Sequence, residues 1–170
     1  MAEDDYVVVY PGGDFPKGAV RAMGRGLKCG EAKEWVDSFV ALWIRDDGEA
    51  VFGRAWSEQG KLKASFPWGG VEVREEETRG VRILTYIGPT TEHQHQYAWV
   101  RAREANPDQL VYAGEYLPAV VTCGDQEILG KAHWNRRLVW TACSGKEELH
   151  KEDEFWNAHL LVKTATSSNG

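Results

Sequence analysis

Phe52-Gly53-Arg54-Ala55 returns further along the chain as Leu129-Gly130-Lys131-Ala132. Each copy is followed by a Gly-x-Glu, first Gly70-Val71-Glu72 and then Gly145-Lys146-Glu147, and each closes on an aliphatic pair, Ile83-Leu84 and Leu160-Leu161. The three landmarks keep offsets of 77, 75 and 77 residues. A fainter echo lies upstream, where Phe15-Pro16-Lys17-Gly18-Ala19-Val20 resembles Leu117-Pro118-Ala119-Val120. Self-similarity in fixed register means two related supersecondary units, each completing the other's core.

The strand signals around those landmarks set the fold class. Short β-branched or aromatic runs bounded by turn residues predict strands over 6–10, 39–44, 50–54, 61–66, 81–86, 97–101, 118–122, 128–132, 138–143 and 158–163. Phe39-Val40-Ala41-Leu42-Trp43-Ile44 is apolar throughout, which marks a strand covered on both faces; the simplest place for it is between the two half-sheets. Lys61-Leu62-Lys63-Ala64-Ser65-Phe66 alternates and predicts one wet face. Asp47-Gly48 and Gly124-Asp125 supply positive-φ tolerance for hairpins at matching places. Helical periodicity is weak, with Glu31–Ser38 the one stretch that suggests a short turn of helix. The expected fold is mainly β: antiparallel sheets from two tandem pseudo-symmetric repeats sharing one core. The expected limits are one domain over 6–163, with repeats at about 15–88 and 97–163, a connecting loop over 89–96 and a disordered tail over 164–170.

Composition narrows the function. The 170 residues are enough for one domain burying about 70% of its unfolded surface. Twenty Lys and Arg against 26 Asp and Glu leave a net charge of −6, and the basic residues are scattered, so nucleic acid is a poor partner. The absence of a long apolar run argues against membrane insertion, and the acidic start against a secretory leader. Cys29, Cys123 and Cys143 are an odd number without C-x-x-C spacing and read as reduced cytosolic thiols. A Cys123–Cys143 bridge between neighbouring strands is the exception.

Eight tryptophans fill a β-rich core or stack against a partner. Trp43 belongs to the first group by its apolar surroundings. Trp68, between Pro67 and Gly69-Gly70, sits where a turn exposes its ring and is a candidate partner-binding residue; core filling is the competing reading. His93 and His95 form a H-x-H pair in a polar loop, a solvated surface or a partner contact, with no third ligand nearby to make a metal site. Glu72 and Glu147 follow the paired turns and are expected to accept backbone hydrogen bonds or to meet Arg54 and Lys131, in preference to forming a paired acid site. No Walker or dinucleotide glycine pattern and no local nucleophile signature is present, so no catalytic, cofactor or metal residue is assigned and no enzyme activity is expected. Thr164, Thr166, Ser167 and Ser168 are candidate phosphorylation sites in the hydroxyl-rich tail.

Together, Phe15-Pro16-Lys17-Gly18, Asp37–Trp43, Gly53-Arg54-Ala55-Trp56, Ser65–Glu72, Glu127–Lys131 and Gly145–Glu148 resemble the nematode sperm motility proteins called major-sperm-protein fibre protein two, from about Phe15 to Val162. The resemblance implies a cytosolic, non-enzymatic accessory in the sperm pseudopod that binds major sperm protein filaments and promotes their assembly, under a Ser/Thr kinase. Family members commonly carry the duplicated unit twice and this chain carries it once, which counts against cross-linking two filaments through two units of one chain; a homodimer could restore bivalency. A more distant similarity is to a repeat family including mannose-binding lectins. It implies the alternative of a carbohydrate-binding module, with its sugar between the halves.

Overall fold

The computed structural model describes residues 4–29, 35–86 and 95–165. Twelve strands form one antiparallel sheet: β1 Asp5–Val9, β2 Phe39–Ile44, β3 Ala50–Glu58, β4 Lys61–Trp68, β5 Val71–Arg74, β6 Val81–Thr85, β7 His95–Arg101, β8 Tyr116–Cys123, β9 Gln126–His133, β10 Leu138–Cys143, β11 Lys146–Lys151 and β12 His159–Ala165. The sheet order is β1-β6-β2-β3-β4-β5-β11-β10-β9-β8-β12-β7. Read inward from either edge, each half presents its first strand, its last, and then the rest in sequence. The junction is narrow, a single Val71↔Lys146 pair between β5 and β11.

Phe52–Ala55 and Leu129–Ala132 occupy matching strands, β3 and β9. Ala41 pairs with Gly53 as Ala119 pairs with Gly130, and Ala41 meets Ile83 as Ala119 meets Leu160. At both glycines the sheet turns a corner. Pairing of β3 with β4 stops at Arg54↔Ser65, and pairing of β9 with β10 stops at Lys131↔Trp140. A β-carbon on Gly53 would lie 2.2 Å from the Ser65 carbonyl oxygen, and one on Gly130 2.1 Å from that of Trp140. Glycine is therefore required by close backbone approach.

Period-two alternation on these strands feeds three apolar clusters. Val40, Leu42, Phe52 and Leu84 of the first half meet Val111, Val120, Leu129 and Leu161 of the second, and fill the space between them. The opposite faces of the same strands build a separate core in each half. Ala41, Val51, Ala55, Phe66 and Ile83 lie in one; Leu117, Ala119, Ala132, Phe155 and Leu160 lie in the other. Fully burying each large side chain contributes about 1.5–3 kcal/mol, so the shared cluster is the main cohesive element. The two edges of the sheet also meet: the Tyr97 hydroxyl of β7 donates to the Asp4 carboxylate just before β1, and the Lys163 ammonium of β12 lies 3.0 Å from it.

Several expectations change. The apolar strand β2 is covered on both faces, yet it lies third from its edge; the halves are joined by β5 and β11, two strands not predicted. The halves are one continuous sheet as well as being packed face to face. Phe15–Val20 lies in the connection before β2, whereas Leu117–Val120 lies in β8, which takes the place of β2 in the second half. Val111 is the residue bonded as Val20 is: Val20 N–H donates to Leu84 O, and Val111 N–H to Leu161 O. The third echo is therefore not structural. Of Glu31–Ser38, residues 31–34 lie outside the described residues; Val36 forms a β-bridge with Leu27, so no helix runs to Ser38. The one α-helix among the described residues, α1 Asp153–Asn157, instead places Phe155 in the second core. Strand β12 continues through Thr164 and Ala165, which moves those residues out of the expected tail.

Candidate functional site

Two glutamates cross the junction between the halves in opposite directions. Glu72 of β5 accepts the Gly145 N–H at 3.1 Å, and Glu147 of β11 accepts the Gly70 N–H at 3.0 Å. Glu72 also pairs with Arg54 at 3.1 Å and accepts the Ser65 hydroxyl, while Glu147 lies 3.8 Å from Lys131. Both expected ion pairs thus form, and each carboxylate also stitches its half to the other. Burial pushes the Glu72 carboxyl up, but the Ser65 hydroxyl, the Gly145 amide and the two arginines Arg74 and Arg54 outweigh it, and its pKa is held below the usual value.

Aromatic rings enclose the cations of this seam. The ammonium of Lys131, a residue 4% exposed, lies 5.1 Å from the Trp68 ring centroid, 5.3 Å from Trp140 and 5.4 Å from Tyr116. Burial lowers its pKa, opposed by Glu147 and Glu49. In the first half, Trp56 is flanked by the guanidinium groups of Arg54 and Arg74 at 4.8 and 5.3 Å. Trp68 is half-buried, with Arg45 3.9 Å from its ring centroid and Lys131 also within cation–π range. The same ring lines a groove.

That groove, about 190 Å³, is lined by Trp43, Arg45, Asp46, Trp68, Glu77 and Arg79. Arg79 continues it into a second of about 230 Å³ containing Val8, Tyr10, Ile44 and Arg82. Tyr10 is 67% exposed and the Arg79 side chain 89%. The result is a mixed aromatic, aliphatic and arginine band on the first half, the composition that dominates protein contact hot spots. Sequence reasoning singled out Trp68, one of the groove's lining residues, from its turn. It missed Tyr10, Ile44 and Arg79, because they lie on three separate segments joined only by the pairing of β1, β6 and β2.

His93 lies outside the described residues, and His95 is placed only by its backbone, paired with Ala165 at the end of β7. Thr164 is half-buried in β12, paired with Gln96; Thr166, Ser167 and Ser168 lie outside the described residues. The region between the halves anticipated for a sugar is filled by the shared apolar cluster. Cys123 ends β8, a full strand away from Cys143 on β10, so the expected neighbour pair is corrected: the sulfur beside Cys143 is that of Cys29. A polar relay not visible in the sequence joins Thr141, His150 and Glu154, with 2.9 Å between the Thr141 hydroxyl and His150 Nε2 and 2.7 Å between Nδ1 and the carboxylate. Thr141 is fully buried, so the relay offers no nucleophile to a substrate and serves to tie β10, β11 and α1 together. Among the described residues no group of three or more His, Cys, Asp or Glu is placed to hold a metal ion, and no helix is long and apolar enough to cross a membrane.

Comparison with known proteins places this architecture. The crystal structure of the nematode sperm cell motility protein MFP2B matches with a TM-score of 0.84 and 26% identity, covering 100% of this chain and 50% of that one. This chain therefore spans about half the length of that relative. No curated protein matches. The model of the cytosolic motility protein family MFP2b matches residues 3–165. On that match the chain belongs to the MFP2b family of cytosolic motility proteins.

Proposed function

We propose that this chain is a non-enzymatic accessory of amoeboid sperm motility that binds major sperm protein filaments and promotes their assembly. The observation that carries this reading is the full-chain similarity to a sperm cell motility protein. The exposed band running from Tyr10 and Ile44 through Arg79 to Trp68 is the surface proposed to meet the filament. Ile44 and Trp68 close strands β2 and β4, and Tyr10 and Arg79 lie just outside β1 and β6. A homodimer of this unit would present two such surfaces, and with them two filament contacts.

Control by a Ser/Thr kinase acting among Thr164, Thr166, Ser167 and Ser168 belongs to the same proposal; Thr164 is half-buried in β12. The test adds pure protein, untreated or kinase-treated and mapped by mass spectrometry, to growing filaments. Faster elongation with co-sedimentation is expected. Unchanged growth with all the protein in the supernatant removes the filament reading, and modification confined to other residues removes the kinase part.

A further inference from the structure

Two of the three cysteines meet although 114 residues separate them. Cys29 follows the segment Arg25–Lys28, which is fastened to the second half: the Arg25 guanidinium grips Glu127 of β9, with its second contact at 2.6 Å, and Glu127 N–H donates to Lys28 O at 2.8 Å. Cys143 closes β10 beside the turn whose Gly145 amide is held by Glu72. Both ends are thus anchored independently, and the Cys29 thiol points at the Cys143 sulfur, 2.7 Å away. Both residues are only partly buried, which leaves room for a small oxidant, and Cys123, exposed at the end of β8, is a built-in comparison.

We propose that Cys29 and Cys143 are a reversible disulfide-forming site, closed by a peroxide and reopened by a dithiol reductant. A thiolate attacks the peroxide, taking one oxygen as a sulfenic acid and releasing hydroxide. The second sulfur then displaces that hydroxyl, forming the S–S bond, so that two thiols lose two protons and two electrons while one peroxide becomes two waters. Burial pushes the Cys29 thiol up to about 12, ahead of the opposing pull of Arg54, so its thiolate is scarce at neutral pH. Disulfides in cytosolic proteins are mostly transient and redox-sensing, which suits a pair that is partly exposed. Closure adds a covalent tie between the halves beside the narrow β5–β11 junction.

The experiment uses the full chain, first reduced, then exposed to hydrogen peroxide, alkylated and analysed by mass spectrometry. The expected product is a monomer about 2 Da lighter, with two of its three thiols blocked, a cross-linked peptide joining Cys29 to Cys143, and full reversal by dithiothreitol. Its melting temperature rises by roughly 5–10 °C over the reduced form. Cys29→Ser and Cys143→Ser each abolish the product, and Cys123→Ser leaves it intact. Dimers linked through Cys123 with Cys29 and Cys143 still alkylated overturn the proposal, as do separate sulfinic acids without a cross-link. The wild-type measurement decides the matter even if a serine variant fails to fold.

Discussion

Gly53 and Gly130 show what a single missing atom does. With a β-carbon placed about 2 Å from a carbonyl oxygen of the adjoining strand, backbone must move, and no flexible side chain is available to yield. Gly53→Ala and Gly130→Ala are each expected to cost about 1–3 kcal/mol or more, read as lower urea midpoints with unchanged slope; wild-type stability in either variant would refute the close-approach account. Glu72 and Glu127 make a second prediction at this scale. The Arg25 hydrogen bonds hold Glu127 below its ordinary pKa, as the seam holds Glu72. Both folded values are depressed, so their stabilisation is complete above the unfolded pKa of about 4.3 and is lost as pH falls through the folded values, where the unfolded chain binds protons first. Urea midpoints measured from pH 6 to pH 2.5 are expected to fall, and Glu72→Gln with Glu127→Gln to flatten the decline; an equally steep decline in the double variant would contradict the assignment. These residues were unequally legible. Glycine and glutamate stood out because they recur in register, whereas the Arg25–Glu127 contact, between residues 102 apart, left no local trace.

Strands β5 and β11 carry the argument at the scale of elements. Neither was predicted, for a physical reason: Lys146-Glu147-Glu148-Leu149-His150-Lys151 has the composition of a solvated tip, and Val71-Glu72-Val73-Arg74 is too short for a periodicity. They are strands because neighbours on both sides satisfy their backbones, β10 and β5 for β11, β4 and β11 for β5. By contrast Phe39–Ile44 and Leu138–Cys143 matched to the residue, because their apolar character is local. Where β5 and β11 meet, one residue pair and two reciprocal carboxylate–amide bonds share the connection. Glu72→Ala and Glu147→Ala are expected to be non-additive, with a coupling of about 0.5–3 kcal/mol in a double-mutant cycle. Glu72→Ala is the costlier, because Glu72 holds Arg54 at 3.1 Å, the Ser65 hydroxyl and the Gly145 amide together, whereas Glu147 lies 3.8 Å from Lys131 and holds the Gly70 amide. Additive losses would show that the two halves of the seam act separately.

At the scale of the whole molecule, the proposed filament surface can be separated from stability. Tyr10→Ala and Arg79→Glu alter exposed side chains outside all three apolar clusters. Together they are expected to weaken filament co-sedimentation by about tenfold or more while the melting temperature stays within about 2 °C of wild type; undiminished co-sedimentation would move the contact elsewhere. The matched strand order of the halves supports duplication as the origin of the fold, a proposal that the duplicated glycine corners make concrete. The contact between Asp4 and Lys163 adds a geometric corollary. The polypeptide enters and leaves this sheet at neighbouring points, so a further unit can be appended in tandem through a short spacer without threading past the first.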